Sequence, residues 1–293
     1  MINYNPKEWF SFVFKFHKAD TVRKLMPLIL LNAGYAGIIT YIELDLLHIS
    51  KNNHLANLTM IHSLLGLVIS LLLVFRTNTA YERWWEGRKL WGSLVNSSRN
   101  FAIKLNSLLP DEATEERDFF RKMIPNFAFA LKNHLREKTL PHEWEDSDGF
   151  PLEEVNTKEH IPNQFAAAIA NRLIHLQKAG VLLPEHLLFL NSEMQNFVDV
   201  CGACERIKKT PIPFSYSVFL KKFIFFYVMT LPIGYVFNLG YWVIPVVAFF
   251  FYVLASMELI AEEIEDPFGA DANDLPTDDI SKTIRKSVKE ILK

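Results

Sequence analysis

The chain has 293 residues, of which 50% are hydrophobic and 22% charged, with 24 Phe and a formal net charge of -2. That balance gives no electrostatic footprint for nucleic acid. It also excludes a chain embedded in lipid throughout, so apolar and charged residues must be segregated along it.

Residues 1–24 are expected to form a cytosolic N-terminal segment. The stretch from Met1 to Asp20 mixes Lys, Glu, His and Phe and lacks the charged start, apolar centre and small-residue site of a cleavable signal. Residues 25–80 are expected to hold two transmembrane helices. A crossing helix needs about 20 mostly apolar residues. Leu25 to Ile42 carries no formal charge, and Leu58 to Phe75 carries none apart from any proton on His62.

Residues 81–210 read as a cytosolic helical domain of four helices. The first continues from the second span through Trp84, Trp85, Leu90, Trp91, Leu94 and Leu105 to about Leu109. The next follows Pro110, with Asp111, Glu112, Glu115 and Glu116 suiting a helix N-terminus. Lys138 to Pro162 is polar and is expected to be a long loop. Asn163 to Ala179 is predicted helical, with Gly180 as its cap. Pro184 is placed to open a last helix to about Lys208.

Residues 211–260 are expected to hold transmembrane helices three and four. Phe223 to Leu239 and Tyr241 to Met257 are short but very apolar, and Asn238-Leu239-Gly240 is a turn-like break between them. Pro27, Pro232 and Pro245 lie near or inside spans, where membrane helices tolerate them. The four segments are apolar all round, which favours lipid over burial in a soluble fold. Residues 261–293 read as a cytosolic acidic motif and C-terminal tail.

Orientation follows from Lys and Arg near the spans. Lys15, Lys18, Arg23 and Lys24 precede the first. Arg76, Arg83, Arg88 and Lys89 follow the second. Arg206, Lys208, Lys209, Lys221 and Lys222 precede the third. The loop between spans one and two has only Lys51, and the turn between three and four has none. Both termini and the middle region are therefore expected in the cytosol.

No nucleotide-binding loop, nucleophile elbow or zinc-protease motif occurs. The only two cysteines, Cys201 and Cys204, have CxxC spacing without a second ligand pair, so they read as ordinary cytosolic thiols. In the second span Leu67, Leu71 and Phe75 recur every four residues and share a stripe, beside small or polar Thr59, Ser63, Gly66 and Ser70. Two readings stand: both stripes are packing faces, or the bulky one lines an axis shared by several subunits and gates by dewetting. The run from Glu262 to Asp274 is strongly acidic. It is either solvated or a set of oxygens for a hard cation.

Phe75-Arg76-Thr77-Asn78-Thr79-Ala80-Tyr81-Glu82-Arg83-Trp84, then Arg88-Lys89-Leu90-Trp91-Gly92, come first. Cys204-Glu205-Arg206-Ile207 and Thr210-Pro211-Ile212-Pro213-Phe214-Ser215-Tyr216 follow. Glu265-Asp266-Pro267-Phe268-Gly269 with Asn273-Asp274-Leu275-Pro276 completes the set. In this order between four spans, these stretches resemble a bacterial bestrophin over nearly the whole chain. The resemblance implies a homopentameric ion channel in the inner membrane, with a hydrophobic neck and a second, cytosolic aperture. The family's neck positions fall on Leu67, Leu71 and Phe75. The aperture position, counted from Gly180, falls on Glu185, with Leu182 or Leu183 as the alternative narrowing. The family's calcium clasp, which also takes a backbone carbonyl from a neighbouring N-terminus, matches Glu263, Asp266, Asp271 and Asp274. Ala270, Ala272 and Asn273 replace acidic positions there.

The sequence is thus read as an all-α integral membrane protein and not an enzyme. It is expected to pass monovalent ions, chloride by family and sodium if an acidic ring at Glu185 selects. No cofactor is required, and Ca2+ is expected only at the acidic motif. Two other readings stay open: a membrane-bound metal-dependent hydrolase, although no His joins the acidic run in sequence, and a non-conducting scaffold.

Overall fold

A computed structural model describes residues 21–48 and 58–293. The expected N-terminal segment up to residue 20, including Lys15 and Lys18, and the loop residue Lys51 lie outside the described residues. Every extended element among the described residues is helical. In chain order they are α1 (Thr21–Tyr41, continued by a π turn Ile42–Leu46), α2 (Leu58–Leu108), α3 (Thr114–Leu135) and α4 (Ile161–Lys178). There follow α5 (Pro184–Lys209), α6 (Phe214–Leu239), α7 (Val243–Glu265) and α8 (Thr277–Ile291). The described residues form two compact units. Those up to Arg83 with Pro211–Glu265 make one, and Trp84–Thr210 with Asp266–Lys293 make the other.

The first unit holds the apolar stretches. Three runs are long and apolar enough to cross a membrane: Thr21–Leu46, Leu58–Leu108 and Phe214–Glu265. The last, at 52 residues, contains both segments expected as spans three and four. It breaks at Gly240, whose φ of 54° suits a residue without a Cβ. A short 3-10 turn, Gly240–Trp242, leads into α7. α7 packs on α1 and α6, around a core that includes Ala36, Ile69, Leu73, Ile224, Val228, Leu231 and Val247. α2 is one unbroken helix of 51 residues. A bilayer needs only about 20 of them, and the charge-free part ends at Phe75.

The second unit is a helical bundle with an aromatic core. Trp91, Phe101, Phe120, Phe127, Phe165 and Phe197 are all buried. Phe197 stacks on Phe127 at 5.2 Å and meets Phe101 edge-on at 5.7 Å. α3 carries Glu115 and Glu116 in its first turn and Lys132 and His134 in its last, both favourable to the helix dipole. Pro184 opens α5, and Gly180, with φ of 76°, ends the turn after α4.

Two sequence expectations change here. The stretch from Lys138 to Pro162 is not a plain loop. It contains 3-10 turns at Pro141–Glu143 and Leu152–Glu154 and buries Trp144 and Val155 in the core. The C-terminal tail contains α8, which packs on α3. Its Ser281, Ile284, Val288 and Leu292 are buried, one stripe at helical spacing. Asp278 at its start is paired with Lys132 at 2.9 Å and Arg136 at 2.7 Å. Burial works against the Asp278 carboxylate, but these two bonds outweigh it and hold the group below its usual range.

Candidate pore-lining face and acidic loop

α2 presents two chemically distinct faces in the first unit. His62, Ile69, Leu73 and Arg76 are buried. His62 bonds through Nδ1 to the Leu58 carbonyl at 2.8 Å and through Nε2 to the Thr230 hydroxyl at 2.9 Å. Leu67, Leu71 and Phe75 point the other way and are 62%, 52% and 64% exposed. The small stripe divides between these faces. Gly66 is packed, since a Cβ there would sit 3.0 Å from the Tyr227 hydroxyl. Ser63 and Ser70 are exposed and donate to the Thr59 and Gly66 carbonyls one turn back. Such a back-bond satisfies the hydroxyl inside apolar surroundings. Leu67, Leu71 and Phe75 thus form a continuous bulky apolar surface that the described residues of the chain do not cover.

Directly after Phe75 the chain buries a charge. Arg76 is 1% exposed. Its Nη2 lies 2.7 Å from Glu265 Oε2, and its Nε lies 3.4 Å from Glu258 Oε2. Glu265 Oε1 also accepts from the Ile212 amide at 2.7 Å. Arg83 Nε donates to the Glu265 carbonyl at 3.1 Å, on the last residue of α7. One carboxylate therefore joins α2 to the start of α6, and two arginines one helical face apart hold the end of α7. Sequence reading treats Arg76 only as a topology signal. The clue lay in Glu258, a carboxylate just past an apolar span, where an unpaired charge is costly.

In the second unit the residues from Asp266 to Pro276 form a locked loop. Phe268 is buried, and the Leu275 amide donates to the Pro267 carbonyl at 2.9 Å. Trp84 Nε1 donates to the Asn273 carbonyl at 3.0 Å, and Arg136 Nε to the Phe268 carbonyl at 3.2 Å. Two glycines permit this packing. A Cβ at Gly87 would press on Phe268 and Leu275 at 3.1 and 3.2 Å, and one at Gly269 would sit 2.7 Å from Asp274 Oδ2.

The four expected clasp residues are placed as follows. Glu263 belongs to the first unit and is paired there with Lys24. Asp266 lies 3.6 Å from Lys208 Nζ. The Asp271 amide donates to Asp274 Oδ2 at 2.6 Å. Asp274 is 2% exposed, and its Oδ1 has no hydrogen-bond partner. Burial, reinforced by the Asp271 and Asp266 charges, lifts its carboxyl to about 6. An orphaned buried carboxylate oxygen is a position a cation fits. Of the other members, Glu263 and Asp266 already face lysines within the chain.

Glu185 stands in the first turn of α5 and is exposed. Leu183 is exposed, whereas Leu182 is 1% exposed in the core. Cys201 and Cys204 are both buried. Burial pushes the Cys201 thiol up to about 12 and Cys204 higher still, so both stay protonated and unreactive. Among the described residues the one group of three or more metal-type side chains with converging atoms is His134, His160 and Glu205. Sequence reading missed it because its members are 45 and 71 positions from Glu205.

Residues 1–290 match a family model described as Bacterial/Fungal Bestrophin protein. A voltage-dependent anion channel-forming protein of Nostoc sp. is 38% identical over 233 residues, 77% of this chain and 75% of that protein. Proteins of the same description are 31% identical in Mesorhizobium japonicum, over 98% of this chain and 91% of theirs, and 31% identical in Escherichia coli K12, over 97% and 91%. A crystal structure of a bacterial bestrophin homolog from Klebsiella pneumoniae, in a single-substitution form, superposes with a TM-score of 0.81. It is 27% identical and covers 91% of this chain and 98% of that one.

Proposed function

The chain belongs to the bacterial and fungal bestrophin family, and from that premise we propose that it forms a passive anion-conducting pore in the bacterial inner membrane. Its family is one of channel-forming proteins and not of enzymes. The observation that carries the reading is the uncovered apolar stripe of Leu67, Leu71 and Phe75. In a homopentamer that stripe becomes a ring of bulky side chains around the axis, a constriction that conducts or dewets. α1, the apolar start of α2, α6 and α7 supply four crossings under this reading, with both termini in the cytosol.

Arg76 would fix the neck's register. It follows Phe75 and is tied to Glu258 and Glu265, so the helix cannot rotate at that level without breaking a buried ion pair. The acidic loop would hold a divalent cation chiefly through Asp274, whose orphaned oxygen supports it, with Asp266 and Asp271 beside it. Bound there, the ion would supply the charge that the buried carboxylate lacks.

Glu185 favours a second reading of selectivity. An exposed carboxylate at the aperture position, repeated five times, would attract cations and repel anions. Current through purified protein in planar bilayers under a sodium chloride gradient tests both readings. A reversal potential of anion sign supports the first and of cation sign the second, and Glu185→Ala should move the potential toward anions. No current from folded protein overturns the channel. An unmoved potential removes Glu185 as a filter.

A further inference from the structure

His134, His160 and Glu205 come from three separate helices of the second unit. His134 is in the last turn of α3, His160 is the N-cap of α4, and Glu205 lies near the end of α5. Both imidazoles aim Nε2 at the same atom, Glu205 Oε1, at 2.6 and 2.7 Å. Their ring centroids are 4.4 Å apart, and the three ligand atoms all lie within 4.8 Å of one another. The side chains are 30%, 30% and 20% exposed, so none of the three is fully enclosed.

We propose that these three side chains form a binding site for a divalent transition metal of the zinc class. Two imidazole nitrogens and one carboxylate oxygen are a zinc-type donor set, whereas calcium and magnesium prefer oxygen alone. Tetrahedral bonds of about 2.0–2.1 Å separate ligand atoms by roughly 3.3 Å. The two His–Glu separations therefore open by roughly 0.6 Å around an ion, within reach of side-chain rotation. Three protein ligands leave a fourth position for water.

The electrostatics agree with that placement. Partial burial raises the Glu205 carboxyl, but hydrogen bonds from His160 and His134, with Lys209 nearby, outweigh it and keep the group below its usual range. A carboxylate ligand is therefore ready at neutral pH. His160 Nδ1 accepts from the Asn163 amide at 3.2 Å, so without metal its proton sits on Nε2 and is donated to Glu205. Metal binding at Nε2 moves that proton to Nδ1 and so gives up one exposed cap bond for coordinate bonds across three helices. A proton on either Nε2 removes that ligand, so binding should weaken as pH falls.

The experiment uses full-length protein in detergent and zinc chloride, with calcium and magnesium chloride as controls. Calorimetric titration at neutral pH should show one zinc per chain at this site and a raised unfolding temperature, whereas any calcium heat belongs to the acidic loop and should persist in the histidine variants. His134→Gln and His160→Gln should each weaken zinc binding about tenfold or more. No saturable zinc binding, or binding unchanged in the double variant, overturns the site and leaves a hydrogen-bonded trio. If the variants fail to fold, zinc-edge anomalous diffraction from wild-type crystals decides. A peak between the three side chains supports the proposal, and its absence overturns it.

Discussion

Beside exposed Phe75 the chain buries the charges of Arg76 and Glu258, whereas Phe197 is buried among the aromatic rings of Phe101 and Phe127. Arg76 is 1% exposed beside Phe75 at 64%, and Phe197 is 0% exposed. The first arrangement is unfavourable in water, because it leaves large apolar side chains wet and pays to desolvate ions. It is favourable where lipid or other copies meet the apolar face and the ions need only satisfy one another. The second is the ordinary solution for a bundle in water. The same chain thus follows two opposite burial rules, and the change occurs within one helix, α2.

The largest expected effect breaks the ion cluster. Arg76→Ala leaves Glu258 and Glu265 buried without their cation and should cost about 3–5 kcal/mol, read by thermal unfolding in detergent. A loss near about 1 kcal/mol would mean that the apolar core, and not the ions, holds that unit together. Phe197→Ala should cost a similar amount, about 3–5 kcal/mol, by the opposite mechanism. It removes a ring stacked on Phe127 and edge-on to Phe101.

Asp274 gives a smaller and pH-dependent effect. Its carboxyl is raised from 3.8 to about 6, so the folded chain holds that proton more tightly than the unfolded one. The protonated contribution is complete below about pH 4 and is lost as pH rises through about 6. Asp274→Asn, which keeps an acceptor for the Asp271 amide, should match wild type at acid pH. Above about pH 7 it should be more stable by about 1–2 kcal/mol, in chemical denaturation without divalent ions. Equal stability at every pH would show that the buried carboxylate already has a partner. The smallest effect on stability belongs to Leu71→Ala. An exposed side chain should cost less than about 0.5 kcal/mol within the chain, yet widening the ring should raise single-channel current. A loss as large as that of Phe197→Ala would place Leu71 in packing.

Much of this was legible from local pattern. The aromatic run from Trp84 to Leu105 keeps helical spacing past the second apolar stretch, and α2 is continuous from Leu58 to Leu108. Gly180 and Pro184 marked helix ends through backbone restrictions that act within a few residues. α8 was missed because its apolar stripe is short and diluted by Lys, Asp and Thr, so that burial against α3 is visible only once α3 is in place.

The sequence by itself determined which segments are apolar, the helix boundaries at Gly180 and Pro184, and the family, because composition and turn chemistry act over short range. Only the tertiary structure decided that Leu67, Leu71 and Phe75 stay uncovered while Arg76 is enclosed, that Leu182 is core, and that Asp274 has an orphaned oxygen. It alone brought His134, His160 and Glu205 to one point. These depend on which helix face meets which neighbour, a choice fixed by packing across long sequence separations and not by any local run of residues.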